Sequence, residues 1–499
     1  MNSFLSLTIK WQLDIIHLLS KFTPMKKTII LFAIFFSCFS LCKAQSYMLY
    51  GMTTQNGSHN LGTIFTYDIT AKTCTAVFNF DSTSGIWPDG SLTFDPNNGL
   101  LYGVTSQGGT NNTGVLFSFD PVKGKDSVYF SFSKAAGQGP GYGSLLLYNN
   151  WLYGMNPNGG KYGYGYVFGF NTITGKDSIV INFDGTKGGY PAGVDFTAYN
   201  NLLYGMTTGG GAGSNGTIFS YNPITCKDSI YLSLSSTVGK TPYEGGLTLD
   251  PKNHLMYALT YVGGLANDGT ILSFNPVTNT DSVVYTFGSQ INDGKNPYGS
   301  LLYDTADGML YGMTYQGGSS SEGTIFRYNP VTGKDTVLVN FNSFNGTWPY
   351  GDLILGPNNT LYGMTSNGNA GNGLLFSYNT VTKKDTVLFN FTNASGIYPY
   401  GSLLMMKKGS ITNISAISPT IKEITIYPNP FNGMAIISFT ESGIHYLEIF
   451  DMAGRKINST ECNGIQYQLN CKGFATGVYF IRVYDKEHNY LDCLKAVMK

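Results

Sequence analysis

Charge is scarce in this chain. Asp, Glu, Lys and Arg make up 12% of its 499 residues, about half the usual share, and thirty Lys+Arg balance thirty Asp+Glu. There is no basic field to hold nucleic acid and no polybasic face for an anionic membrane, so neither is expected as a partner. Between residues 45 and 408 the only histidines are His59 and His254, and the only glutamates are Glu244 and Glu322. That stretch has no His/Cys/Asp set at metal spacing, no nucleophile in an elbow sequence and no Gly-rich loop opening a phosphate-cradling helix. No cofactor, metal or catalytic residue is therefore assigned. Cysteine is sparse too: of seven, Cys38 and Cys42 fall in a segment expected to be removed. The remaining Cys74, Cys226, Cys462, Cys471 and Cys493 are odd in number and lack knuckle spacing, which argues against a zinc site and a disulfide framework, although Cys462 and Cys471 are close enough to pair. No segment shows the 3.6-residue period of an amphipathic helix. The one long apolar run, residues 28–41, is too short to span a bilayer, so no transmembrane segment is expected in the mature chain.

What the chain has in excess is glycine, with 63 residues, and aromatics at 14%. The pattern behind that excess is Leu-Tyr-Gly or a close variant, recurring at Tyr50, Tyr102, Tyr153, Tyr204, Tyr257, Tyr311 and Tyr362, that is, at steps of 52, 51, 51, 53, 54 and 51 residues. A period near fifty belongs to radial or stacked repeats and not to one globular core. Each unit carries four apolar strings rich in β-branched and aromatic residues and bounded by Gly, Pro, Asn or Asp, as in 143–147, 152–155, 165–170 and 177–183. Four short strands per unit make one propeller blade of the kelch size class; the alternative, a solenoid, usually runs shorter or contains helices. The first unit begins directly at its Leu-Tyr-Gly strand and lacks the preceding Gly-Ser-Leu strand, while 401–405 supply a spare one. Complementary ends remove the open edge by closing a ring. The expectation is an all-β fold: a seven-bladed β-propeller over 45–408 closed by pairing of 401–405 with 49–53, then a small β-sandwich.

The flanks read differently. Residues 25–44, with Lys26-Lys27 before the apolar run and Lys43-Ala44 at its end, form a secretory signal peptide with cleavage after Ala44, and 1–24 look like an over-long start. Residues 409–420 are a Ser/Thr/Ile/Asn linker. In 421–499 alternating strings at 424–427, 435–439, 446–450 and 477–483 predict the sandwich.

Two resemblances stand on these residues. Leu203-Tyr204-Gly205-Met206-Thr207, Gly209-Gly210-Gly211 and Gly216-Thr217-Ile218-Phe219 resemble the GloVer tandem repeat of bacterial surface proteins, across about 47–406. Met256-Tyr257-Ala258 departs from that signature, which marks its glycine as a packing preference. The family name implies no chemistry. The tail is similar to the C-terminal sorting domain of the type IX secretion system of Bacteroidetes, through Pro428, Asn429 and Pro430 after Tyr427, Asp451 and Gly454 in Asp-Met-Ala-Gly-Arg, and Gly477 and Tyr479 in Ala-Thr-Gly-Val-Tyr. This resemblance implies the type IX machinery as partner of residues 421–499, and export to the outer-membrane surface or the extracellular space.

Candidate ligand-binding residues come from strand parity. In an up-and-down blade the loop between strands two and three and the loop to the next blade emerge on the same side. The second set carries Trp87-Pro88, Tyr190-Pro191, Trp348-Pro349 and Tyr398-Pro399, with Pro242-Tyr243 and Pro297-Tyr298 in related copies. Either these rings pack between blades or they form a rim of platforms for sugar rings, with Trp87, Tyr190, Trp348, Tyr398 and Lys161 as the candidates. Asp126, Asp177, Asp228, Asp281, Asp335 and Asp385 recur at one position before Ser or Thr and an aliphatic residue. Presence in six units favours a turn or strand-end role, and the tripeptide also resembles an O-glycosylation acceptor of exported Bacteroidetes proteins. The expected function is a surface-anchored, non-catalytic binding or adhesion module for an extracellular glycan or protein. The alternative is a polysaccharide lyase or glycosidase on the same scaffold, drawing on His59, Lys161, Asp268 and Glu322.

Overall fold

The computed structural model describes residues 46–498 apart from 134–138, 141–142, 192–194, 244, 369–370, 410–423, 428, 432, 452–453, 471–472 and 487–489. The signal peptide, the residues before it and nearly all of the linker lie outside the described residues, as does Pro428. Strands and turns make up almost everything else; the only helical element described is the single 3-10 turn Pro357–Asn359.

Seven antiparallel sheets lie between Tyr47 and Lys407. One of them runs Thr197–Tyr199, Leu202–Thr207, Thr217–Asn222 and Lys227–Ser233, each strand hydrogen-bonded to its neighbour in sequence. Six sheets have four strands and the sheet built on Met309–Gly317 has a fifth, Gly294–Pro297. In every one the third and fourth strands slip register at the same step, between Ile64 and Phe65, Leu116 and Phe117, Val167 and Phe168, Ile218 and Phe219, Ile271 and Leu272, Ile325 and Phe326, and Leu375 and Phe376. A bulge at a constant place adds twist to each fourth strand.

The repeat signature now has a physical account. Its Leu and Tyr are core residues, Leu203 and Leu310 fully buried and Tyr204 and Tyr311 nearly so. Its final Thr meets the Thr of the Gly-Thr pair ten residues on: Thr207 Oγ1 and Thr217 Oγ1 are 2.9 Å apart, and Thr53–Thr63, Thr260–Thr270 and Thr314–Thr324 each 2.8 Å. These hydroxyls satisfy one another where no water reaches. The glycine makes room for a ring: a Cβ on Gly51, Gly103, Gly312 or Gly363 would stand 2.5–2.6 Å from the Phe on the next strand. Where Ala258 replaces glycine, the facing residue is Leu272 and not Phe.

The first and last repeats share a sheet. Leu404–Lys407 lies beside Tyr47–Thr53, so the closing strand sits slightly later than the expected 401–405. Leu49, Phe65 and Tyr67 of the first repeat pack in one cluster with Tyr362, Met364, Leu375 and Phe391 of the last and with Leu403. Innermost segments also reach from sheet to sheet: Gly246 N donates to Ser300 Oγ at 2.9 Å, Ser300 N to Asp352, Asp352 N to Ser402 Oγ at 2.8 Å, and Ser402 N to Ser91 Oγ at 2.7 Å.

The tail forms its own five-stranded sheet in the order Thr425–Tyr427, Met434–Phe450, Gly477–Tyr484, Tyr490–Met498, with Lys456–Asn470 also pairing Met434–Phe450. Ala435, Ile437, Phe439, Leu447, Ile449, Ile481 and Val483 share its core. Cys462 is a free, buried thiol whose Sγ donates to His445 O at 3.5 Å, which corrects the suggested pairing with Cys471.

Candidate functional site

The aromatic-Pro loops share one backbone device. Trp87, Tyr190, Trp348 and Tyr398 all sit at positive φ, and so do Thr241 and Asn296 at the same place in two other repeats, over a range of 52–57°. A bulky residue there is strained by ~1–3 kcal/mol. Hydrogen bonds hold it on both sides: Trp348 N donates to Glu322 O at 3.1 Å, and Trp348 O accepts Ser366 N at 3.1 Å and Ser366 Oγ at 2.8 Å. Trp87 with Ser106 and Tyr190 with Thr208 repeat the pattern. The following prolines, Pro88, Pro191, Pro242, Pro297, Pro349 and Pro399, are buried. The rings are not: Trp87 is 38% exposed, Tyr190 44% and Trp348 37%, with Tyr398 half-buried. Neither full burial between sheets nor a free rim describes them.

The structure gathers only part of the expected set. Trp348 and Tyr398, with Tyr243 and Tyr298 of the related copies, join a continuous aromatic arc whose Tyr261, Tyr315, Tyr350 and Tyr400 the sequence reading did not single out. Its spine is Tyr243, Tyr298, Tyr350 and Tyr400, with successive ring centroids 5.0, 4.8 and 4.8 Å apart. Tyr261 lies 5.2 Å from Tyr243 and 5.3 Å from Tyr298; Tyr315 lies 5.7 Å from Tyr298 and 5.1 Å from Tyr350. Trp348 meets Tyr315 at 6.1 Å and Tyr398 meets Tyr400 at 6.4 Å. Tyr190 instead pairs with Tyr164 at 5.7 Å, and Lys161 stands over Tyr162 at 5.0 Å. The signal for Tyr261 and Tyr315 was available by aligning the repeats, because the residue after the signature Thr is Thr54, Ser106, Pro157, Thr208 and Ser366 elsewhere.

The enzyme candidates are not brought together. His59 Nδ1 contacts Phe80 O at 3.1 Å, Asp268 pairs with Lys295 at 2.9 Å, and Glu322 serves through its backbone carbonyl. No described hydrogen bond or ion pair joins any two of His59, Lys161, Asp268 and Glu322. Carboxylates that do feel one another lie elsewhere. Asp195 and Asp352 occupy the innermost position held by Ser91, Ser300 and Ser402 in other repeats; both lie deep in the molecule yet keep some accessible surface. Desolvation first, and then the nearby Asp352 carboxylate, push Asp195 up to about 7, while Ser144 tempers the rise. Asp352 is raised by desolvation as well. Burial, then Asp293, pushes Asp335 to about 7, and burial raises Asp89 to about 6 although Ser106 Oγ donates to it at 2.7 Å.

A pH dependence follows. Each of these carboxyls binds its proton more tightly folded than unfolded, where the value is ~3.9. Between pH ~4 and ~7 the folded chain therefore holds more protons, and its stability falls as pH rises through that window. Asp81, held near 2 chiefly by Thr83 and Ser84, acts oppositely, and its contribution is lost only as pH falls through about 2. Urea unfolding should show a higher midpoint at pH 5 than at pH 8, and Asp195→Asn should reduce the difference. A midpoint that rises from pH 5 to pH 8 would contradict the assignment.

The other motif residues have local roles. Ser127, Ser178, Ser229, Ser282 and Thr386 lie exposed on outermost strands, with Thr336 partly so, and strand pairing leaves their side chains accessible. In the tail, Asp451 O accepts Gly454 N at 3.0 Å and its carboxylate accepts Arg455 Nε at 2.7 Å, a tight turn with Gly454 at φ 78°. Asn429 Oδ1 accepts Val497 N at 2.8 Å, and Tyr479, in the strand that Gly477 opens, donates its hydroxyl to Ala475 O at 2.7 Å.

Known families and structures can now be set beside this geometry. The model of the Gloeobacter/Verrucomicrobia repeat matches residues 37–219 and 194–416, and that of the secretion system C-terminal sorting domain matches 425–494. No curated protein sequence matches the chain. Among solved structures, a putative 6-phosphogluconolactonase from Bacteroides fragilis is 15% identical with a TM-score of 0.50, over 73% of this chain and 99% of that one. PorZ, an essential surface component of the type IX secretion system of Porphyromonas gingivalis, is 17% identical with a TM-score of 0.41, over 88% of this chain; this chain spans only 63% of PorZ. The β-propeller domain of the trilobed protease from Pyrococcus furiosus is 8% identical with a TM-score of 0.42, over 69% and 95%. At these identities the likenesses concern fold alone.

Proposed function

Because this chain belongs to the Gloeobacter/Verrucomicrobia repeat family, we propose that its repeats form a seven-bladed β-propeller that works outside the cell as a non-catalytic binding module. Its type IX sorting domain directs export to the cell surface or the extracellular space. The seven-blade reading is supported by the seven sheets and by the innermost hydrogen bonds that run from repeat to repeat and back from Ser402 to Ser91. We divide the chain into signal peptide 25–44, propeller 45–408, linker 409–420 and sorting domain 421–499. A sandwich over 421–499 is favoured by the alternation along its strands, whose Ala435, Ile437, Phe439, Leu447 and Ile449 share one core with Ile481 and Val483.

The observation that carries the binding role is the aromatic arc on a loop face. Large rings half open to solvent are what recognition uses and what a purely structural layer would bury. Deleting residues 421–499 should abolish surface display and strand the protein in the periplasm with its ligand binding intact; cell-surface labelling equal to the full chain would count against that division of labour. A catalytic reading has one point in its favour, the influence of the Asp352 carboxylate on Asp195, since polysaccharide hydrolysis uses paired carboxyls. It requires release of reducing ends from a bound polysaccharide, and loss of that release in Asp352→Asn. The binding reading requires retention without release.

A further inference from the structure

We propose that the tyrosine arc is the binding platform itself and that it takes an uncharged polysaccharide chain, an assignment that rests on the binding-module reading above. The fold does not need these rings. The residue after the loop proline is Tyr243, Tyr298, Tyr350 or Tyr400 in four consecutive repeats, but Asp89, Gly141 or Ala192 in the other three. Tyr142, one place further on, lies outside the described residues. A requirement of the scaffold would recur all round, whereas a ligand needs one place.

The arc also forgoes a hydrogen bond that other repeats make. Where Ser106, Thr208 and Ser366 stand, the hydroxyl donates to the strained carbonyl of the residue before proline, at 2.9, 2.6 and 2.8 Å. Tyr261 and Tyr315 occupy that position in the first two of the arc's four repeats. Tyr261 keeps only the backbone donation, its N to Thr241 O at 3.2 Å. Two repeats thus exchange a stabilising hydroxyl for a ring that reaches the arc.

The ligand class follows from what the arc offers. Ring faces suit the apolar faces of sugars, and tyrosine hydroxyls suit their polar edges. No Lys or Arg occurs in any repeat at the three positions that build the arc, so nothing within it pairs with sulfate or uronate. Lys240 and Lys295 lie just outside, and Lys295 is already paired with Asp268. A proline-rich peptide would need a groove with its aromatic walls aligned. Tyr298–Tyr350 and Tyr350–Tyr400 cross at 74° and 80°, and only the end pairs Tyr243–Tyr298, at 25°, and Tyr398–Tyr400, at 12°, approach parallel, so the spine is not a row of aligned slots. Several adjacent platforms make several weak contacts to a polymer, so affinity accumulates with chain length.

The test is affinity electrophoresis of the full chain through gels containing hydroxyethyl cellulose, xyloglucan or dextran, with alginate as the charged polymer and a polyproline peptide as competitor. The decisive variant is Tyr261→Thr with Tyr315→Ser, because it installs the residue types that other repeats already use; Tyr350→Ala is the second. Retardation by at least one neutral polysaccharide is expected. It should weaken tenfold or more in the double variant while that variant's melting temperature stays level or rises, and it should persist in Trp87→Ala, outside the arc. Equal retardation of wild type and double variant overturns the arc and leaves the binding module standing. Retardation by alginate alone, or displacement by polyproline, overturns the ligand class. Retardation by nothing overturns both.

Discussion

A chain ending at Thr392 melts far below one ending at Lys408. Both lack the sorting domain, so the comparison isolates sixteen residues that complete the sheet of the first repeat. Those residues bring Ile397, Leu403 and Met406, each at least nine-tenths buried, and the strand Leu404–Lys407. They also bring the hydrogen bond from Thr63 Oγ1 to Ser395 O at 2.8 Å and the Lys408–Asp68 ion pair at 2.6 Å. Burying such side chains contributes ~1.5–3 kcal/mol each, so the three together approach the whole stability of a typical domain, ~5–15 kcal/mol. Truncation also leaves Tyr47–Thr53 as an open edge, a hazard for aggregation. The expected result is loss of a cooperative transition or a melting temperature lower by 10 °C or more, with ~1 kcal/mol corresponding to a few degrees. Equal melting of the two chains would mean that the ring does not depend on its last strand.

Gly312→Ala should destabilise the protein severely for one added methyl group. Gly312 has no left-handed backbone to defend; the conflict is purely one of space, because a Cβ there stands 2.6 Å from the Phe326 ring and 3.0 Å from Leu301. Overpacking of this kind costs ~1–3 kcal/mol. The repeat with Ala258 shows how the chain accommodates a methyl group at this place, by facing it with Leu272. Gly312→Ala combined with Phe326→Leu should therefore be less damaging than the two changes added, with a coupling of ~0.5–3 kcal/mol measured by urea unfolding. Strict additivity would remove the steric explanation of the repeat signature.

Much of this was legible because the repeat writes its own rules seven times. Leu-Tyr-Gly marks the second strand, Gly-Thr the third, and the spare Gly401-Ser402-Leu403 announced that the ends would meet. Other features were not legible, or only in part. The register slip before Phe65, Phe219 and their counterparts leaves no residue signature, since the extra residue is an ordinary strand residue such as Val77. Positive φ at Trp87 and Trp348 runs against their own preference and is imposed by hydrogen bonds from neighbouring repeats. The aromatic arc was half seen: reading by dipeptide found Trp348 and Tyr398, with Tyr243 and Tyr298 in related copies, but weighted Trp87 and Tyr190 equally. Only packing across repeats separates them from Tyr298 and Tyr350. Asp195 and Asp352 were missed for a related reason, because single aspartates in a serine position become a pair only when the inner strands converge.

Hydroxyl-radical footprinting of the full chain, with and without the neutral polysaccharide that retards it most, locates the bound polymer on the surface. The account predicts protection concentrated on Tyr243, Tyr298, Tyr315, Trp348, Tyr350 and Tyr400, with Trp87 and Tyr162 oxidised as before. Protection at Trp87 and Tyr162 with the arc unchanged, or none anywhere in the presence of a retarding polymer, would contradict it.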